Sequence, residues 1–261
     1  MRYLRLLFVF LRIGVMRELA YRGNFFVQLF VLLLELATAL GGLAIVFAHT
    51  ATLGGWRPDE VLALVGIYFL IGGVIRLLIQ PSMERLIEGV REGTLDFTLT
   101  KPEDAQLLVS LQRVEIWSLT DILLGFCVVS VALVRLGDGL QASHVAAFAV
   151  ALPAGVVIVY SFWLFLATLS FWFVRVENIL VIFQSMYEAG RWPVSLYPAW
   201  LRFALTFLVP IAFATTVPAQ ALAGHMTRQV LLGTVALAIA LFVGSRLFWR
   251  AGIRRYSGAS A

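Results

Sequence analysis

The stretch FFVQLFVLLLELATALGGLAIVF, Phe25 to Phe47, carries one charged residue, Glu35, in 23 positions. Wound as an α-helix it rises about 34 Å, enough to cross the ~30 Å hydrocarbon core of a bilayer with some tilt. Similar runs follow at Val61–Gln80, Ile116–Leu136, Ala146–Val174 and Val230–Phe248. The whole chain shares this character: of 261 residues 61% are apolar and 13% charged, with a mean hydropathy of +0.92. Soluble domains hold roughly 45–50% apolar residues. An all-α integral membrane protein of about six spans is expected, because only a helix satisfies every backbone polar group within its own segment in lipid.

The basic residues number 20 against 15 acidic ones, and all but Lys101 are arginine. They stand at the ends of apolar runs instead of gathering on a soluble face, which excludes nucleic acid as a partner and leaves membrane lipid. The single cysteine, Cys127, allows no intrachain disulfide and reads as a small buried apolar residue. His49, His144 and His225 fall in three separate loops without ligand spacing, so no metal site is expected.

Residues 1–23 precede the first span with Arg2, Arg5, Arg12 and Arg17 on one arc and Leu4, Leu7, Phe8, Leu11, Val15 and Leu19 opposite. That pattern suits an amphipathic helix in the headgroup region. At the other end the tail from Ser257 is expected to be disordered.

Ile179 to Met226 admits two topologies. Ile179–Arg191 is a short fifth span followed by a broken hairpin, Pro193–Gly224, that enters and leaves from one side; or Ile179–Arg202 lies on the surface and Phe203–Leu222 crosses. The first puts 15 Lys and Arg inside and five outside (Arg57, Arg135, Arg191, Arg202, Arg228), the second 17 and three, so the positive-inside rule leans to the second. Pro210 and Pro218 lean to the first, since a backbone broken by proline must be satisfied by surrounding protein. Both place the termini in the cytoplasm.

Pro81–Glu115 is the longest polar stretch, with four basic and seven acidic residues. Met83, Leu86, Ile87 and Val90 recur at i, i+3, i+4 and i+7 between Glu84, Arg85, Glu88, Arg91 and Glu92, an amphipathic helix ending at Gly93. Leu95, Phe97 and Leu99 then alternate with Thr94, Asp96, Thr98 and Thr100 as a short extended piece. Thr100-Lys101-Pro102-Glu103 reads as a capping box that starts the helix into the third span.

Arg91-Glu92-Gly93-Thr94-Leu95-Asp96 followed by Leu99 and Pro102 resembles the R-x-G-T-L-x-x-x-L-x-x-P stretch between the second and third helices of type-2 ABC exporter permeases. Tyr21-Arg22-Gly23-Asn24-Phe25-Phe26, the run Arg191-Trp192-Pro193-Val194-Ser195-Leu196-Tyr197-Pro198, Trp200-Leu201-Arg202, Pro210 and Pro218 are similar to a subgroup of such permeases of about 260 residues, and the likeness extends over the chain. It implies a single permease domain in the cell inner membrane, with an interfacial helix, six spans, a coupling helix in 81–115 and a re-entrant pair at 193–224 before the last span. It also implies two ATPase subunits holding ATP and Mg, a second permease, identical or divergent, and coupling through Met83, Leu86, Ile87, Glu88, Arg91, Glu92, Gly93, Thr94, Leu95, Asp96, Leu99 and Pro102. No cofactor is expected on this chain, which lacks G-x-x-x-x-G-K-[ST].

Charged residues within spans are functional candidates by default: Glu35 at mid-span, Asp121 one turn into the third span and Glu188 late in the fifth. Arg76 reads as snorkelling to the surface. Glu35 and Asp121 also define the rival reading, an ion- or proton-coupled secondary transporter, against which stands the absence of an internal repeat. An intramembrane enzyme would need a nucleophile and base at depth, and no histidine lies there.

Overall fold

In a computed structural model, residues 22–137, 140–173 and 177–256 are described. Residues 1–21 of the expected interfacial helix and the tail from Ser257 lie outside the described residues. The helices are α1 (Arg22–His49), α2 (Pro58–Val74), α3 (Gln80–Arg91), α4 (Asp96–Leu99), α5 (Ala105–Ser110), α6 (Leu119–Leu136), α7 (Ala142–Thr168), α8 (Glu177–Glu188), α9 (Ala199–Phe203), α10 (Ile211–Ala214), α11 (Thr216–Leu222) and α12 (Arg228–Ile253). The protein is an all-α integral membrane protein; among the described residues five helices are long and apolar enough to cross a bilayer, with a sixth candidate in the bent pair α9 and α10–α11.

The second span is the centre of the bundle. Within it 72% of the apolar window is buried, against 17–28% in the other four, and Val61, Ala63, Leu64, Ile67 and Phe69 are fully enclosed. Lipid tails are as apolar as leucine, so helices in a membrane gain from close packing and not from hiding apolar surface. Glycines supply that closeness between α2 and α6. A methyl group added at Gly125 would lie 2.4 Å from the Leu70 amide nitrogen, and one at Gly66 would lie 2.7 Å from that of Val129. The outer helices instead turn apolar side chains such as Phe26, Phe30, Phe126 and Val134 to the lipid. Cys127, read from sequence as buried, is exposed on this lipid-facing side of α6, because the neighbours it has at i±3 and i±4 are packed toward lipid too.

The polar stretch also differs from its sequence reading. The amphipathic segment is not a separate element: α2 passes through a π-helical turn, Ile75–Ile79, directly into α3, making one helical path of 34 residues from Pro58 to Arg91. The expected extended piece at 95–99 is the short helix α4. The expected capping box at Thr100 starts nothing; Asp104 caps α5 by accepting from the Leu107 amide at 3.2 Å.

The segment 179–226, which has two readings from sequence, is built from α8 and the bent pair of α9 with α10–α11. In the 3-10 turn Ala189–Arg191 that follows α8, the guanidinium of Arg191 lies over the Tyr68 ring, 5.2 Å from its centroid, ten residues into the second span. Arg191 is therefore not at the outer surface, where the sequence reading put it. The segment Trp192–Pro198, with a 3-10 turn at Val194–Leu196, carries Leu196 to Gly54 in the α1–α2 loop. After α11, His225 meets the same region, with its ring 6.0 Å from that of Trp56 and its Nε2 3.6 Å from Glu60. Both ends of the bent pair thus lie on the face opposite 81–115, with a 72° bend at Pro210 between α9 and α10–α11.

If the α2–α6 approach holds the bundle, Gly125→Ala will lower stability by about 1–3 kcal/mol through overpacking. Gly41→Ala, with nothing within 4 Å, will be neutral or slightly stabilising by helix propensity. Thermal unfolding of the detergent-solubilised protein measures both, and equal melting temperatures for the two variants would refute the assignment.

Candidate functional site

Two regions hold the polar residues singled out from sequence: the tip beyond α3 and a cluster around Arg76 and Asp121. At the tip, Met83, Leu86 and Ile87 are buried against the bundle and Glu84 and Arg85 are exposed. Arg85 Nη1 donates to Glu88 Oε2 at 2.5 Å, which holds the Glu88 carboxyl below its usual range. α3 stops at Gly93, whose φ of +71° suits glycine alone, and the chain folds back so that the Leu95 amide bonds the Gly89 carbonyl at 3.1 Å. Leu95 is consequently buried, Thr94 lies beside Gly89, Asp96 opens α4 and Leu99 packs on the core. Arg91, Glu92, Lys101 and Pro102 are exposed. So is Phe97, at 75%, a residue the sequence reading treated as part of a strand and not as a surface anchor.

The chain from this tip to α6 is strapped to the wider turn. Ser82 Oγ donates to the Arg113 carbonyl at 3.0 Å, and the Glu115 amide donates to the Leu77 carbonyl at 2.9 Å inside the π-helical turn. On the other flank Arg246 of α12 pairs with Asp104 and donates to Gln106 Oε1 at 3.0 Å, while Gln106 Nε2 donates to the Tyr160 hydroxyl of α7 at 3.2 Å. The arginine's hydrogen bond holds the Asp104 carboxyl below its usual range. Sequence reasoning missed this network, for which Asp104 as a helix cap was the available signal. A polar cavity of about 360 Å³ between α3 and α8 is lined by Gln80, Glu84, Arg85, Arg91, Arg113 and Gln184 among others.

At depth, Arg76 does not snorkel. Its Nε donates to Asp121 Oδ2 at 2.8 Å, because the two residues reach the same level from the π-helical turn after α2 and from α6, and a paired charge is far less costly than a free one in lipid. Beside this pair the Tyr187 hydroxyl of α8 donates to the Tyr68 carbonyl at 2.8 Å, and the two rings stack at 4.9 Å. Among the described residues Glu35 has no hydrogen bond or ion pair; it is half-buried on α1, within electrostatic reach of Tyr68. Glu188 is exposed at the end of α8. The three acidic candidates are thus not brought together. In the hairpin Pro193, Pro210 and Pro218 are buried and Pro198 and Trp200 exposed, while Arg202 closes the approach by donating to the Ser195 carbonyl at 2.8 Å.

Asp121→Ala, which strands the Arg76 charge, will destabilise by about 3–5 kcal/mol, and Arg76→Met with Asp121→Leu will recover most of that loss; thermal unfolding of the three proteins checks it. For Asp104 the depressed carboxyl makes its contribution fully present above its unfolded value of about 4 and lost as pH falls through the lower folded value. The melting-temperature gap between wild type and Asp104→Asn will therefore be constant from about pH 5 to 8 and close on further acidification.

No curated protein shows a significant match to this chain. A family model described as ABC-2 family transporter protein matches residues 33–260, which takes in every described span except the part of α1 before residue 33. With an all-helical bundle, a buried central span and a structured polar tip between the second and third spans, the chain belongs to the ABC-2 family of transporter membrane proteins.

Proposed function

We propose that this chain is the permease half of an ATP-driven exporter, with the 81–115 tip on the cytoplasmic side and both termini there. Separate ATPase subunits, two per complex, hold ATP and Mg and grip the tip. A second permease, identical or divergent, completes the pathway. The observation that carries this reading is the helical path from Pro58 to Arg91. It joins the face opposite the tip, the Arg76–Asp121 level and the exposed surface around Arg91, Glu92, Phe97, Lys101 and Pro102. Packed helices shift as stiff elements between discrete arrangements, so force applied at the tip moves the centre of the bundle.

Within the tip two roles separate. Met83, Leu86, Ile87 and Leu95 are enclosed and position the surface, with Gly93 setting the reversal. Arg91, Glu92, Phe97 and Pro102 present it to the partner, Phe97 serving as the apolar anchor that interfaces favour. Glu88, Thr94, Asp96 and Leu99 shape the surface between them.

Reconstitution of the tagged chain with its copurifying ATPase and any second permease tests the reading. Substrate-stimulated ATP hydrolysis should fall by about tenfold or more in Arg91→Glu/Glu92→Arg and in Phe97→Ala, with the permease still folded. Transport by this chain without ATP, or unchanged stimulation in both variants, would overturn it.

A further inference from the structure

α1 and α6 splay apart over α2 and leave a groove of about 440 Å³ open to the lipid. Its walls are Leu36, Leu40, Leu43, Ala44 and Phe47 from α1, with Leu124, Cys127, Val128 and Val131 from α6 opposite and Leu62 and Pro58 as the floor. Both walls follow the i, i+3, i+4, i+7 spacing of one helical face. Each covers eleven residues of rise, from Leu36 to Phe47 and from Leu124 to Arg135, or about 16 Å. That matches half of the ~30 Å hydrocarbon core, the depth of one leaflet. The polar exception in the lining is Arg135, at the surface end in the last turn of α6. Among the described residues it forms no hydrogen bond or ion pair, whereas the neighbouring Arg57 is bound to Glu60 at 2.9 Å.

We infer that this groove holds one acyl chain of an anionic phospholipid from the leaflet opposite the 81–115 tip, with the lipid phosphate on Arg135. The match of length to a single leaflet and the cation at the mouth favour a lipid over a helix of a second copy. Arginine at an interface binds phosphate through two parallel hydrogen bonds. The groove fills with hydrocarbon, and bound lipid then acts as a wedge that sets the separation of α1 from α6.

Native mass spectrometry of the full-length protein in detergent, titrated with phosphatidylglycerol or phosphatidylcholine, tests this. Phosphatidylglycerol should bind at least about tenfold tighter than phosphatidylcholine, and Arg135→Gln should remove that preference. Ala44→Trp, which fills the exposed middle of the groove without touching Arg135, should remove tight binding of both lipids while leaving the melting temperature of the lipid-stripped protein unchanged. Equal affinity for the two lipids, or phosphatidylglycerol binding unaltered in both variants, would overturn the proposal. So would efficient oxidative cross-linking through Cys127, the only cysteine, since two copies joined there would place protein in the groove.

Discussion

Everything in this molecule hangs on the approach of α2 to α6. Gly66, Gly73 and Gly125 let the two backbones come close enough for a single methyl group to collide with the facing chain, and the Arg76–Asp121 pair joins them at one end of that contact. In lipid such closeness must come from small side chains, since apolar burial by itself separates protein from nothing it avoids. With the pair in place α2 becomes the enclosed axis. α11 packs on it from one side, with α7 behind against α10, α11 and α12, and α1 touches it along an inner stripe at Leu32, Ala39 and Leu43.

The same economy governs polar groups. Arg76 finds Asp121, Tyr187 finds a backbone carbonyl, and in the segment Trp192–Pro198 Pro193 is buried and the Val194 amide donates to Thr216 Oγ1 at 3.4 Å. Irregular backbone within a membrane is tolerated only where protein surrounds it. The hairpin that follows has its broken end, at Pro210, in the same protected place.

The spans were legible because hydropathy needs no knowledge of neighbours: a run such as Phe25–Phe47 is a membrane helix wherever it packs. The tip was legible in part. Leu95, Phe97 and Leu99 fit a two-residue repeat, yet Leu95 and Leu99 are equally one helical turn apart, and three residues cannot separate the two periods. The helix won because Leu95 is drawn inward by its bond to the Gly89 carbonyl. The Thr100 capping box lost to Asp104 because a partner 142 residues away, Arg246, anchors the latter. Arg76 was misread for the same reason: its partner is 45 positions distant, and no local pattern reports that. Within the candidate site the residue types were readable, but their division into enclosed supports and exposed contacts depends on which way α3 faces.

That facing is set by the wider turn at Ile75–Ile79. A helix turns about 100° per residue, so the turn works as an angular spacer between two apolar stripes that would otherwise be out of phase. Shortening it by one residue would swing Met83, Leu86 and Ile87 out toward water and carry charged neighbours inward, whatever side chains filled the turn. Between Val74 and Gln80 the chain is therefore constrained in length as well as in composition: Arg76 must meet Asp121, and the number of residues decides which surface the tip presents.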